Sequence, residues 1–98
     1  MEINSEMKFS RSENIVAGLV DGDFMLSDLQ SGKYHQMNGT GKMIWEILEQ
    51  PMTVSEICDS LVKEFEVEPD NCLKELKIFL KELFKKNILQ IICYKSTN

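Results

Sequence analysis

The order of residue patterns along the chain predicts an α+β fold, in which a three-stranded antiparallel sheet is followed by three helices. Residues 15–37 hold three short runs rich in β-forming residues, separated by tight-turn dipeptides. From residue 38 onward the apolar residues recur at helical spacing. Strands followed by helices indicate helices that cover one face of a small sheet. With 98 residues, of which 43% are hydrophobic, the chain has the size of one domain with a modest core.

Two dipeptides set the predicted strands. Asp21-Gly22 favours the primed turns of tight hairpins, and Ser31-Gly32 supplies a second tight turn. The strands on either side of these turns are predicted at residues 15–20, 24–29 and 33–37. We expect residues 1–14 to be an N-terminal tail or to add one short strand, residues 15–92 to form the domain, and residues 93–98 to be a C-terminal tail.

Boundary signals mark each of the three predicted helices. Asn38 or Thr40 can cap the first helix, and Pro51 is expected to end it. Residues 53–56, Thr-Val-Ser-Glu, form a capping box that begins the second helix, which should end near residue 66. Pro69 suits the first position of the third helix, and Asn87 can close it in the left-handed conformation. Residues 88–94 are expected to be extended.

The helices are predicted to bury apolar stripes at spacings of three and four. These stripes consist of Met43, Ile44, Ile47 and Leu48 in the first helix, Ile57, Leu61, Val62 and Phe65 in the second, and Leu73, Leu76, Leu80 and Leu83 in the third.

Charge and hydropathy disfavour two classes of partner. A formal charge of −5 and a pI near 4.8 argue against nonspecific nucleic-acid binding, although lysines gather between residues 74 and 86. No window approaches the roughly 18 uncharged apolar residues that span a bilayer, and the N-terminus lacks the apolar run of a signal peptide. We therefore expect a cytosolic protein without a membrane partner.

Residues suited to catalysis are few. The single histidine, His35, lies in a short predicted strand, and no Gly-rich phosphate loop, HExxH or GxSxG motif is present. The three cysteines, Cys58, Cys72 and Cys93, form no CxxC pair and favour neither disulfides nor zinc. The sequence thus predicts a protein that is not an enzyme and needs no cofactor or metal.

A set of short segments in fixed order resembles the PqqD-like family, named for a small protein of pyrroloquinoline quinone biosynthesis. The resemblance covers roughly residues 15–90, and its segments are Gly22-Asp23-Phe24-Met25-Leu26, Ser31-Gly32-Lys33-Tyr34, Met37-Asn38, Ile44-Trp45, Thr53-Val54-Ser55-Glu56-Ile57, Val67-Glu68-Pro69, Phe79-Leu80, Leu83 and Ile88-Leu89. Glu68 and Asn87 stand where Asp and Gly are common in the family. Both substitutions approximately keep the local capping physics.

This resemblance implies a winged helix-turn-helix-like domain that recognises ribosomally made, modified peptides. Such a domain binds the leader segment of a precursor peptide and delivers the attached core. The implied enzyme partners are a leader peptidase, a ring-closing cyclase, or a radical-SAM enzyme. Stand-alone members of about this length include those of lasso-peptide pathways.

The resemblance also implies where the leader binds: as an added strand beside the third strand, in the groove between that strand and the third helix. The peptide-binding residues expected there are Lys33, Tyr34, His35, Gln36 and Met37 on the strand and Cys72, Glu75, Leu76, Phe79 and Glu82 on the helix. We expect Met37 to face the helices. The opposite flank of the third helix, Lys74, Lys77, Ile78 and Lys81, is the alternative lining.

Three other interpretations stay open. Helices two and three with an apolar wing could form a winged-helix DNA-binding regulator, which the lysines of residues 74–86 favour and the pI disfavours. The chain could instead be a structural subunit that stabilises an enzyme. A free sheet edge could also pair two copies in a homodimer, with the N-terminal strands exchanged between them.

Overall fold

The structure, a computed structural model, describes residues 2–37 and 39–93, which form two small sheets and three helices. The elements in chain order are β1 Lys8–Arg11, β2 Ile15–Val20, β3 Asp23–Asp28, β4 Tyr34–Gln36, α1 Gly39–Ile47, β5 Met52–Thr53, α2 Val54–Phe65, α3 Pro69–Lys85 and β6 Leu89–Cys93. The predicted α+β class is confirmed.

The predicted meander is the sheet β2-β3-β4, in which each neighbouring pair is antiparallel. Val20 pairs with Asp23, so that Asp21 and Gly22 alone form the first turn. Their φ angles of 53° and 87° are both positive, as the type I′ turn of a two-residue hairpin requires. The turn dipeptide therefore fixes the register of β2 on β3, with Ala17 opposite Leu26.

Asp28 organises the second turn and thereby positions β4. Its carboxylate accepts hydrogen bonds from Asn14 Nδ2 at 2.7 Å and from the amides of Gln30 at 2.9 Å and Ser31 at 3.2 Å. The bond from Asn14 contributes most to lowering the pKa of the Asp28 carboxyl below its usual value. Gly32, with φ of 77°, closes the turn by donating to the Asp28 carbonyl at 2.8 Å.

A second sheet, with the order β5-β1-β6, was not predicted. Its central strand β1 lies in the segment for which a tail or one short strand was expected, and Phe9 in this strand is completely buried. Ile3 and Met7 join the same core. The extended conformation expected after residue 88 is found in β6, whereas Tyr94 lies outside the described residues.

A residue distant in sequence holds the last turn of α1. The helix ends at Ile47, before Pro51 as expected, and Arg11 satisfies the carbonyl oxygen of Trp45: Nε and Nη2 donate to it at 3.0 and 2.7 Å. The Arg11 guanidinium also lies 4.5 Å from the centre of the Trp45 ring. Thr40 lies within α1 and therefore does not cap it, while Asn38 lies outside the described residues.

The caps of α2 and α3 agree with the sequence. The Glu56 amide donates to Thr53 Oγ1 at 3.1 Å and the Thr53 amide to Glu56 Oε1 at 2.9 Å, which completes the capping box. Glu68 caps α3 by accepting from the Asn71 amide at 2.9 Å. Asn87, with φ of 62°, closes α3 in the left-handed conformation.

The predicted apolar stripes form the core, with five exceptions. Ile44, Leu48, Ile57 and Leu80 are among the most completely buried side chains. Met43, Ile47, Val62 and Leu73 are half-buried, and Phe65, the last residue of α2, is 49% exposed and borders an open cleft. Across residues 2–37 and 39–93, the helices are too short or too polar to cross a membrane.

Candidate functional site

The backbone of β4 offers hydrogen-bonding groups at the edge of its sheet. The Asp28 amide donates to the Lys33 carbonyl at 2.8 Å, and the Met37 amide donates to the Phe24 carbonyl at 2.9 Å. In an antiparallel pair, hydrogen-bonded and non-hydrogen-bonded positions alternate. The N–H and C=O groups of Tyr34 and Gln36 therefore point away from β3, toward the open edge.

A cleft of about 390 Å³, here called the strand cleft, runs beside this edge. It is lined by Gln36 and Met37, by the start of α1 (Gly39, Thr40, Gly41) and by α3 (Phe79, Glu82, Leu83, Lys86). Met37 is only 9% exposed, as expected for a residue that faces the helices. A Cβ atom at Gly41 would lie 3.0 Å from Met37 Sδ and 3.3 Å from Phe79 Cζ, so glycine allows this close packing.

A second, larger cleft of about 610 Å³, here called the helix cleft, lies among the three helices. Its lining is mostly apolar: Ile44, Leu61, Phe65, Val67, Cys72, Leu76 and Phe79, with Thr40, Glu68, Asn71 and Glu75. Thr40 and Phe79 line both clefts. The two clefts are therefore neighbours along α3, with Phe79 between them.

The predicted α3 residues all line these clefts. Cys72, Glu75 and Leu76 line the helix cleft, Glu82 lines the strand cleft, and Phe79 lines both. Leu76 is only 3% exposed and belongs mainly to the core. The alternative flank (Lys74, Lys77, Ile78 and Lys81) lines neither cleft. The flank that lines the clefts is therefore the one beside β4, where Phe79 and Glu82 share the strand cleft with Gln36 and Met37.

Of the strand residues predicted to bind the peptide, some line the strand cleft and others face the solvent. Met37 and Gln36 line the strand cleft. Tyr34 is 67% exposed and Lys33, in the preceding turn, is also exposed. His35 is half-buried opposite Leu26.

The clefts are also lined by residues that were not predicted as site residues, among them Thr40, Ile44, Phe65 and Val67. Phe65 and Val67 carried a usable signal, since two large apolar residues flank the end of α2 at Glu66. Both are exposed, by 49% and 42%, which is unusual for adjacent apolar side chains at a helix junction and marks the rim of the helix cleft.

Carboxylates line both clefts on the α3 side. Glu68 and Glu75 give the helix cleft an acidic character, whereas the strand cleft is lined by Glu82 and by Lys86, which lies four residues further along the chain. Such an arrangement favours a peptide that carries a basic side chain next to apolar ones.

The Cys58 thiol, a neighbour of Cys72 in the lining of the helix cleft, is not activated for nucleophilic chemistry. Burial, with a contribution from the neighbouring Cys72, raises the pKa of the Cys58 thiol to about 11, so it stays protonated at neutral pH. Its Sγ donates weakly to the Pro69 carbonyl at 3.9 Å. Within the described part of the chain, no three His, Cys, Asp or Glu side chains converge as metal ligands.

Comparison with protein families gives one match. The model of coenzyme PQQ synthesis protein D, PqqD, matches residues 23–89, which include β4 and all three helices. The chain belongs to the PqqD family. Among curated proteins, no sequence matches this PqqD-family chain significantly.

Two solved structures share its fold. The structure of TbiB1 in complex with the TbiA(beta) leader peptide is 28% identical, with a TM-score of 0.73, and the match covers 89% of this chain and 99% of that one. A lasso peptide synthetase B1 complexed with its leader peptide has a TM-score of 0.71 at 23% identity, covering 84% of this chain and 96% of that one. The shared fold thus covers more of the chain than residues 23–89, which the family model matches.

Proposed function

We propose that this chain binds the leader segment of a ribosomally synthesised precursor peptide by adding it as a strand to β4. The observation that carries the proposal is the open edge at Tyr34 and Gln36 beside a cleft walled by α3. Membership of the PqqD family and the fold shared with a leader-peptide complex support it.

The backbone of β4 supplies register and part of the affinity. An extended peptide pairs with the outward N–H and C=O groups of Tyr34 and Gln36, as in other β-augmentation complexes. Because β4 has only three residues, these bonds hold a short stretch of the leader. Side-chain contacts outside the ladder must supply the specificity.

The two clefts select the leader's side chains. Alternate residues of an added strand point to the same side, so they reach the floor formed by Met37, Gly41 and Phe79. A bulky apolar side chain fits the helix cleft, where Phe65 and Val67 are exposed in the free protein. A basic residue close by pairs with Glu75 or Glu82.

The chain then delivers the bound precursor to other proteins and performs no chemistry itself. Its partners in this role are a leader peptidase, a ring-closing cyclase or a radical-SAM enzyme, acting in the cytoplasm where precursor peptides are made. We propose lasso-peptide biosynthesis as the pathway; a lasso peptide synthetase B1 shares the fold of this chain.

Tyr34→Pro tests the strand addition directly. Proline removes the outward amide of Tyr34 and fixes φ, while β3 keeps its hydrogen bonds, because an edge strand tolerates proline at its first residue. We expect leader affinity to fall by about tenfold or more, from the lost hydrogen bond and the altered backbone. Fluorescence polarisation with a labelled leader peptide from the neighbouring precursor gene measures this change.

Tyr34→Val is the matched control, since it removes the ring and keeps the amide. Its affinity should stay within about threefold of the wild type if the backbone carries the contact. Unchanged binding by Tyr34→Pro, in a protein with an unchanged melting temperature, would exclude strand addition at β4.

A further inference from the structure

Two of the three cysteines meet where α2 packs against α3. Cys58 lies in α2, is only 7% exposed and belongs to the core. Cys72 lies in the first turn of α3, is half-buried and lines the helix cleft. Both cysteines are free thiols in the structure.

Two contacts place the Cys58 sulfur beside Cys72. Cys58 Sγ lies 3.9 Å from the carbonyl oxygen of Pro69, the first residue of α3. In an α-helix a carbonyl points toward the residues three and four positions further on, and Cys72 is the third residue after Pro69. The Cys58 thiol also interacts directly with the Cys72 side chain. The two sulfurs are therefore neighbours across the interface between the helices.

The two thiols differ in their access to solvent. Cys72 opens on the helix cleft, so a small molecule in the cleft meets this sulfur first. Cys58 is shielded, and burial is the largest cause that raises the pKa of its thiol, so Cys58 reacts poorly with a reagent from outside. In redox-sensing proteins, an accessible cysteine often stands beside a second cysteine that resolves the first oxidation product.

We infer that Cys58 and Cys72 are a redox-sensitive pair, which low-molecular-weight disulfides such as oxidised glutathione convert into a disulfide between α2 and α3. The inference does not depend on leader binding. In a reducing environment the pair stays in the thiol form, and the disulfide forms only on oxidation.

The conversion takes two thiol–disulfide exchanges. Cys72 loses its proton and attacks one sulfur of oxidised glutathione, which breaks the S–S bond, releases one glutathione and leaves the other bound to Cys72. Cys58 then loses its proton and attacks the Cys72 sulfur, which forms the bond between the helices and releases the second glutathione. The pair gives up two electrons and two protons, and one oxidised glutathione is reduced to two glutathione molecules.

The disulfide would close a loop that holds the end of α2 and the start of α3. This loop, residues 59–71, includes Phe65 and Val67 at the rim of the helix cleft. A cross-link of this length stabilises a protein mainly by restricting its unfolded chain. Oxidation should therefore raise the melting temperature by about 5 °C or more, and dithiothreitol should reverse the change.

Tryptic mapping tests the pair, because Lys63 lies between the two cysteines in sequence. Trypsin separates residues 43–63 from residues 64–74, and only a disulfide can keep these two peptides together. The folded full-length chain is treated with oxidised glutathione, and free thiols are then blocked with N-ethylmaleimide. Mass spectrometry identifies the peptides with and without reduction. Cys93→Ser is the matched control, since it removes the third cysteine and keeps the pair.

We expect the two peptides to be joined in the wild type and in Cys93→Ser, together with the rise in melting temperature. Cys58→Ala should keep glutathione on Cys72, because the resolving thiol is missing. Cys72→Ser should keep a free thiol at Cys58, because that sulfur is buried. The wild-type map is decisive even if one of these variants does not fold.

Three results would overturn the inference. The first is a wild type in which both thiols stay reduced, or in which Cys72 retains glutathione. The second is a disulfide that forms only when Cys93 is present. The third is uptake of glutathione at Cys58 in Cys72→Ser as fast as the wild type reacts. No leader peptide is used, so these outcomes are separate from the test of the proposed function.

Discussion

At the scale of single residues, Phe79 connects the fold with the proposed binding surface. Its ring lines both clefts and approaches Gly41, where a Cβ atom would lie 3.3 Å from Cζ. It is half-buried and packs against the core from the outside. Its contribution to stability is therefore smaller than that of a core phenylalanine, and its exposed edge is available to a ligand.

Phe79→Ala should weaken leader binding without unfolding the protein. Because the side chain is half-buried, we expect a stability loss of about 2 kcal/mol, roughly half the cost of a fully buried ring. The matched control is Phe84→Ala on the same helix, also half-buried but outside both clefts. If the two variants bind the leader equally well in fluorescence polarisation, Phe79 is not part of the site.

Asp28 makes the position of β4 sensitive to acid. The pKa of its carboxyl is lowered in the folded protein, chiefly by the hydrogen bond from Asn14, from an ordinary value of 3.8. A lowered folded-state pKa contributes stability above the unfolded-state pKa, and this contribution is lost as pH falls through the folded-state pKa.

Asp28→Asn should therefore lower the melting temperature at pH 7 and have less effect at low pH. The wild type and the variant should converge as the pH falls below the ordinary value of 3.8, because the wild-type carboxyl becomes protonated as the pH passes through its lowered pKa. Thermal unfolding at several pH values measures the difference. A difference that stays constant from neutral to acid pH would show that the charge of Asp28 does not stabilise the turn.

At the scale of elements, β1 joins the two ends of the chain. It pairs with β6 near the C-terminus, where Ser10 lies opposite Gln90, and with β5 before α2. Arg11 at its end takes the Trp45 carbonyl of α1. The strand thus connects β5, which precedes α2, and β6, which follows α3, with the end of α1.

Phe9→Ala should cost about 3 to 5 kcal/mol, because this side chain is completely buried at the centre of the second sheet. Urea unfolding measures the loss, and Lys8→Ala in the same strand is the control for a half-buried residue. A loss below about 1 kcal/mol would mean that the N-terminal segment is not required by the core.

At the scale of the whole molecule, α3 separates three surfaces. Its apolar stripe packs into the core, Cys72, Glu75, Phe79 and Glu82 line the clefts, and the opposite flank with Lys74, Lys77, Ile78 and Lys81 lines neither cleft.

The sheet β2-β3-β4 has a second edge at β2. Val16, Leu19 and Val20 in β2 are exposed by 46%, 71% and 52%. A homodimer formed through a free sheet edge stays a prediction. The N-terminal strand β1 pairs with β5 and β6 of its own chain.

Local chemistry allowed the sequence alone to predict most element boundaries. Asp21-Gly22 has the conformational freedom of a primed turn, residues 53–56 satisfy their own backbone groups, and Asn87 tolerates positive φ. Each of these preferences depends on a few consecutive residues. The meander, the start of α2 and both ends of α3 could therefore be predicted.

Only the tertiary structure decided what depends on distant residues. The second sheet pairs residues about eighty positions apart, such as Ser10 and Gln90, and no local pattern signals that pairing. The bond from Arg11 to the Trp45 carbonyl, in the last turn of α1, spans 34 positions. The helix cleft exists because the end of α2 leaves Phe65 and Val67 uncovered. Sequence periodicity fixes the faces of an element, whereas packing between elements decides which faces meet and which stay open.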